Sequence, residues 1–184
     1  ININTEMNYW PTLKLGLKEC YEPFIRFVSE LSESGSLTAK NFYGKNGWVS
    51  HHNSDLWRLS HPATGRLNNS AQWGFWNASS GWLAKMLWDY YRYTLDKKYL
   101  KKVYPIIEGA ARFYKESLVE CEGRLIYPLS TSPENNYIEN GEMMPIDKST
   151  SMTQEIIYDL FDAVGKAQET LGLENTYSEI LPKL

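Results

Sequence analysis

The sequence predicts an all-α fold of helical hairpins, with long polar loops ahead of some helices. Two observations carry this. Apolar residues recur at three-to-four spacing through several long stretches, which is one buried face of an α-helix. Between those stretches lie segments with no sustained period, rich in Gly, Asn, Ser and His. Antiparallel helical hairpins need short connections on one side only, so the other side is free to carry loops that build a site. This is the layout of an (α/α) barrel or toroid, although the pattern alone does not separate it from a plain bundle.

The first apolar face runs Leu13, Leu17, Cys20, Phe24, Phe27, Val28 and Leu31. Pro23 should kink this helix or restart it, and Cys20 is expected in the core. Ser34-Gly35-Ser36 is expected to end the element, with a short helix over Ser36 to Lys40 leading into Gly44. Residues 44–70 read as a long loop, and Trp48, Val49, Leu56 and Trp57 within it predict that it is ordered. Trp82, Leu83, Met86, Leu87, Tyr90 and Tyr91 mark a helix that begins as early as Trp73, and Asp96-Lys97 marks its turn.

Tyr99, Leu100, Val103, Ile106, Ile107, Ala110, Phe113, Tyr114 and Leu118 predict the next helix, ending before Gly123. Pro105 inside it reads as a kink or an early-turn residue. Residues 124–129 suit a short strand, and Ser130 to Pro145 have no helical period. Periodicity resumes at Met152, Ile156, Ile157, Leu160, Phe161, Val164, Ala167 and Leu171, stopped by Gly172. A last short helix is expected over Tyr177 to Leu181.

The composition narrows the function. The 184 residues suffice for one domain with a core. The net charge is -3 and no Lys/Arg-rich run is present, so nothing recruits nucleic acid or an anionic membrane. No stretch of apolar residues is long enough for a membrane span. Cys20 and Cys121 do not make a disulfide framework or a metal site, and adjacent His51 and His52 point to different sides. Ile1 is not an initiating Met, which predicts a piece of a longer chain. Aromatics reach 14%, with seven Trp and thirteen Tyr. Some stand among amides and carboxylates, which suits either a sugar with its apolar C–H faces and hydroxyl rim or, for any single ring, plain burial between helices.

Three loops combine such groups: Asn2 to Trp10, Gly47 to Trp57, and Ser130 to Tyr137. Glu134, after Pro133 in a non-helical stretch, is either an acid whose pKa burial would raise or a carboxylate capping a loop or helix. Asn2 and Asn4 share a face if their segment is extended, which suits either holding a water or capping backbone groups. His51 and His52 read equally as binders of sugar hydroxyls and as structural imidazoles.

In this order the loops resemble glycoside hydrolase family 95, the inverting α-L-fucosidases. The resemblance rests on Asn2-Ile3-Asn4-Thr5-Glu6-Met7-Asn8-Tyr9-Trp10-Pro11, on Gly47-Trp48-Val49-Ser50-His51-His52-Asn53-Ser54-Asp55, and on Ser130-Thr131-Ser132-Pro133-Glu134-Asn135. Trp73-Gly74-Phe75-Trp76 and Tyr104-Pro105 extend it. It implies that residues 1–184 are the N-terminal portion of an (α/α)6-barrel catalytic domain whose later hairpins lie elsewhere. It implies Glu134 as general acid and Asn2 and Asn4 as the pair positioning the attacking water, with an Asp beyond Leu184 making that water basic. His51, His52, Asn53, Trp73 and Asn135 are then the groups facing the sugar.

The implied substrate is a fucosylated oligosaccharide or polysaccharide, and no metal or organic cofactor is called for. The family also contains α-L-galactosidases, and a non-catalytic sugar-binding domain would keep the same loops. The expected setting is a bacterial protein that is secreted, periplasmic or on the outer surface. The isolated piece is expected to be inactive and to self-associate through apolar helix faces. One departure stands out: Met152-Thr153 opens the last long helix where the family resemblance implies Met-Asp.

Overall fold

A computed structural model describes residues 3–63 and 71–184 and shows a mainly α-helical architecture. Its first helix, α1 (Asn4–Lys14), is followed by a turn at Gly16 and a 3-10 turn over Lys18–Tyr21. The second, α2 (Glu22–Tyr43), starts with Pro23 in its first turn and ends at Gly44. The expected helix across Leu13 to Leu31 is therefore two helices. Pro23 restarts the chain rather than kinking it, because a proline in the first helical turn loses no intrahelical bond. Cys20 falls on the turn between them and is exposed, not core.

Ser34-Gly35-Ser36 does not end the helix. Gly35 is buried in mid-helix, and a Cβ there would stand 2.8 Å from the Val49 carbonyl oxygen. The missing side chain serves as a contact for the following loop instead of a stop. That loop, described over residues 44–63, buries Trp48 and Val49 but leaves Leu56 and Trp57 exposed. The rest of the predicted loop, residues 64–70, lies outside the described residues.

A single turn, α3 (Ala71–Gly74), precedes α4 (Ser79–Thr94). Leu95 in a left-handed conformation and Asp96 then reverse the chain into α5 (Lys97–Ser117). Asp96 caps α5 by accepting from the Lys98 and Tyr99 amides at 2.8 and 3.1 Å. The helix runs on through Pro105.

Among the described residues, six short strands interrupt the all-α pattern. The pair β1 (Val119–Cys121) and β2 (Arg124–Ile126) forms a hairpin with Val119 opposite Ile126. Next, β3 (Ser130–Thr131) is followed by a second hairpin, β4 (Tyr137–Glu139) and β5 (Glu142–Met144). Finally β6 (Ile146–Asp147) returns antiparallel to β3, with Ser130 opposite Asp147. Glu122-Gly123 and Asn140-Gly141 form the hairpin tips with positive φ at both residues, the geometry that matches strand twist.

The last long helix, α6 (Ser151–Leu171), ends at Gly172 as the sequence predicts. The helix expected over Tyr177 to Leu181 is instead a run of turns and a 3-10 turn at Leu181–Lys183. The core lies where α4, α5 and α6 pack on one another, with α2 along α4 and α5, and α1 against α4. A Cβ on Gly81 would meet the Ile156 side chain at 2.8 Å, so its absence sets the approach of α4 to α6. The described helices are part of a helical barrel domain and do not close it.

Candidate active site

The loop after α2 is anchored before it reaches any polar site residue. Gly47, at φ 81°, lies so close to α5 that a Cβ would stand 2.0 Å from the Gly109 carbonyl oxygen. Beside it Trp48 donates from its amide to that same oxygen at 3.3 Å and from Nε1 to the Ile106 carbonyl at 2.7 Å. Val49 donates its amide to the Gly35 carbonyl. Held at these points, the chain presents His51, His52 and Asn53.

His51 and His52 have different places. His51 is fully buried and both ring nitrogens are committed. Nδ1 lies 2.6 Å from the Ser60 carbonyl oxygen, which can only accept, so Nδ1 carries the hydrogen. Nε2 then accepts from the Tyr43 hydroxyl at 2.6 Å, and the two rings stack at 13°. Burial pushes the imidazole down to about 4. The sugar-facing role expected of His51 is thus replaced by a supporting one, because no nitrogen is left to meet a ligand.

His52 stands at the boundary. Its Nε2 lies 3.7 Å from Glu134 Oε1, and its ring meets the buried Trp76 edge-on at 6.5 Å. Its Nδ1 lies 3.2 Å from Asn53 Oδ1. The Asn53 amide in turn reaches the Trp73 carbonyl at 3.5 Å. Asn53 and Trp73 are both exposed.

Glu134 stands on a tight turn between β3 and β4. The Asn135 amide closes the turn on the Ser132 carbonyl at 2.6 Å, and the Pro133–Glu134 peptide is cis. Gln72 of α3 donates to the Glu134 carbonyl at 2.8 Å. The turn is based on α6: Ser130 Oγ bonds the Thr150 and Thr153 hydroxyls, and the Thr150 hydroxyl also donates to the Thr131 carbonyl. The expected burial of Glu134 does not occur. Half of its side chain is exposed, because the turn lifts it clear of the β3–α6 contact. Asn135, beside it, is exposed too.

A buried polar chain links the His loop to this turn. Asn77 Nδ2 donates to the Tyr127 hydroxyl at 2.8 Å and the Leu129 carbonyl at 3.2 Å, and reaches the Tyr43 hydroxyl at 3.5 Å. Hydrogen bonds therefore run from Ser60 through His51, Tyr43 and Asn77 to the residues just before β3. Asn77 and Tyr43 were not singled out from the sequence. An Asn before an apolar helix looks like an ordinary cap, and Tyr43 looks like one more core aromatic.

Of the predicted site residues, His52, Asn53, Trp73, Glu134 and Asn135 come together. Asn2 lies outside the described residues. Asn4 is the exposed first residue of α1, so its backbone is helical rather than extended. Among the described residues no hydrogen bond or ion pair joins Asn4 to Glu134. The unusual Thr153 is buried on the α6 side of β3.

The sequence matches the family model described as the glycosyl hydrolase family 95 catalytic domain over residues 1–183. It is 37% identical over 178 residues to alpha-L-fucosidase 2 of Arabidopsis thaliana, covering 95% of this chain and 21% of that protein. It is 31% identical over 182 residues to a probable alpha-fucosidase A of Aspergillus niger, covering 95% of this chain and 22% of that protein. The chain spans about a fifth of the length of these curated relatives. Both are eukaryotic, so neither supports the bacterial source expected above.

Proposed function

This chain belongs to glycosyl hydrolase family 95, and from that premise we propose that the complete protein hydrolyses terminal α-L-fucosidic bonds with inversion. The observation that carries the reading is Glu134, half exposed on a braced turn with His52 3.7 Å away. In inverting hydrolysis one carboxyl protonates the leaving oxygen while water attacks the opposite face of the sugar ring. Glu134 is the proton donor. Asn2 and Asn4 orient the water, and because an amide cannot accept its proton, a carboxylate elsewhere in the complete protein does so. Exposed Asn53, Trp73 and Asn135, with His52, offer an aromatic face and amides to a fucosylated glycan.

The deciding experiment is fucose release from a 2′-fucosyl oligosaccharide by the complete protein and its Glu134→Gln variant. The variant should lose at least about a thousandfold in kcat while still binding the glycan. Retained turnover would sink the acid assignment. Comparing matched fucosides and L-galactosides tests the sugar preference. Secretion, or a periplasmic or outer-surface position in a bacterium, rests on the family resemblance alone. Identifying and fractionating the producing cell tests both parts.

A further inference from the structure

The Glu134 carboxyl owes its place to the backbone that carries it. Half of the side chain is exposed, and its polar neighbour, the His52 imidazole, stands 3.7 Å away, beyond direct hydrogen-bond length. The Cα–Cβ bond leaves between the two peptide planes that meet at Glu134, so turning either plane tilts the side chain. The plane that follows, between Glu134 and Asn135, is pinned at both of its polar groups. The Asn135 amide donates to the Ser132 carbonyl at 2.6 Å, within the turn itself. The Glu134 carbonyl accepts from Gln72 Nε2 at 2.8 Å, a partner 62 residues away in the chain.

Gln72 belongs to α3, which is itself fixed on the His loop. A Cβ on Gly74 would stand 2.2 Å from the Ala63 carbonyl oxygen, so α3 and the end of that loop are in close backbone contact. The residue after Gln72, Trp73, offers its carbonyl to the Asn53 amide at 3.5 Å. Trp76, just beyond, meets the His52 ring edge-on. One short segment thus holds the backbone of Glu134 on one side and touches His52 and Asn53 on the other. It sets the separation between the carboxyl and the groups read as facing the sugar.

We propose that Gln72 is a positioning residue for the acid: its side-chain amide holds the Glu134 carbonyl and so keeps the carboxyl aimed at the leaving oxygen. This rests on the reading of Glu134 as the proton donor. Gln72 acts through Glu134 and needs no contact with the sugar. Displacing a reacting group by about 1 Å is enough to cost about a hundredfold in rate. A single hydrogen bond near the surface contributes little to folding. Loss of the Gln72 contact therefore reads out in turnover and not in stability.

The test uses the complete protein with Gln72→Met and Gln72→Glu, against wild type and Glu134→Gln. Methionine keeps the reach of the side chain without a donor, and an ionised glutamate turns an acceptor towards the carbonyl. Both should lower kcat by about tenfold or more, with KM changed by less than about threefold and the melting temperature within a few degrees of wild type. Amide exchange at residues 134–136 should quicken in both, while exchange in α5 and α6 stays as in wild type. Full kcat in both variants would overturn the proposal. So would a raised KM at unchanged kcat, which marks Gln72 as a sugar contact. A large fall in melting temperature with exchange quickened throughout would overturn it too, since Gln72 would then be purely structural. An inactive wild type, or a fully active Glu134→Gln, would instead defeat the functional reading, and this inference with it. An active wild type beside an inactive Glu134→Gln and an unaffected Gln72→Met would defeat the inference alone.

Discussion

His52 Nε2 lies 3.7 Å from Glu134 Oε1, and the two sides of the pair are unequally exposed, with the imidazole nearly buried and the carboxyl half open. A polar contact this accessible contributes little to folding. If Glu134 is the proton donor, the imidazole aims its carboxyl. His52→Phe would keep a ring against Trp76 but remove the polar neighbour. The expected outcome for the complete protein is a fall of about tenfold to a hundredfold in kcat. The melting temperature should stay within a few degrees of wild type. A large loss of stability with unchanged turnover would show the reverse assignment.

His51 sets a pH dependence of folding. Its folded value is lowered to about 4 from 6.5 because burial disfavours the cation. A histidine depressed in this way binds its proton more readily when unfolded. Its stabilising contribution is complete above the unfolded value and is lost as pH falls from about 6.5 to about 4. At 1.36 kcal/mol per pKa unit the loss is on the order of 3 kcal/mol. Glu6 acts in the opposite direction, since its raised value takes stability away as pH climbs from 4.5 to about 7. Urea midpoints measured from pH 4 to 8 should separate them. His51→Phe should flatten the acid limb at some cost in stability, and Glu6→Gln should stabilise at pH 8 but not at pH 4.

The parts visible in the sequence are those set by local pattern. The spans of α5 and α6 follow from three-to-four spacing, as does α4 from Ser79 but not from Trp73, and Gly44 and Gly172 end helices in the left-handed conformation they favour. Gly35 was misleading because glycine also serves close contact, and only the position of Val49 reveals which applies. The strand hairpins had a signal in Glu122-Gly123 and Asn140-Gly141, but short strands lack a measurable period. Glu134, His52 and Asn53 were legible through the company of their motifs. Their meeting was not, because it depends on α3 and β3 converging. The separation of His51 from His52 was equally hidden, since adjacent side chains differ only in which way the loop turns them.

The anchoring of the His loop predicts a severe glycine effect. Gly47 combines φ 81° with a Cβ position 2.0 Å from the Gly109 carbonyl oxygen. Both are backbone constraints, so no rotamer change relieves them. Gly47→Ala should destabilise by roughly 2–4 kcal/mol. Gly44→Ala, with nothing within 4 Å of its Cβ position, carries only the left-handed conformational cost and should lose about 1 kcal/mol. Comparable losses at the two positions in urea unfolding would show that contact with α5 does not anchor the loop.

Asn77 links that loop to the turn that carries Glu134. Its side-chain amide reaches Tyr127 and Leu129 on one side and Tyr43, the partner of His51, on the other. In Asn77→Ala these acceptors stay buried with less to bond, at about 1–3 kcal/mol. If the amide joins two otherwise separate units, its loss should also let the Glu134 turn open independently. Amide hydrogen exchange at residues 130–135 should then quicken more than exchange in α5, whose own hydrogen bonds are untouched. A double-mutant cycle with Tyr127→Phe should return a coupling of about 0.5–3 kcal/mol. Strict additivity, with uniform acceleration of exchange, would mean that Asn77 only fills space and that the two loops hold their positions separately.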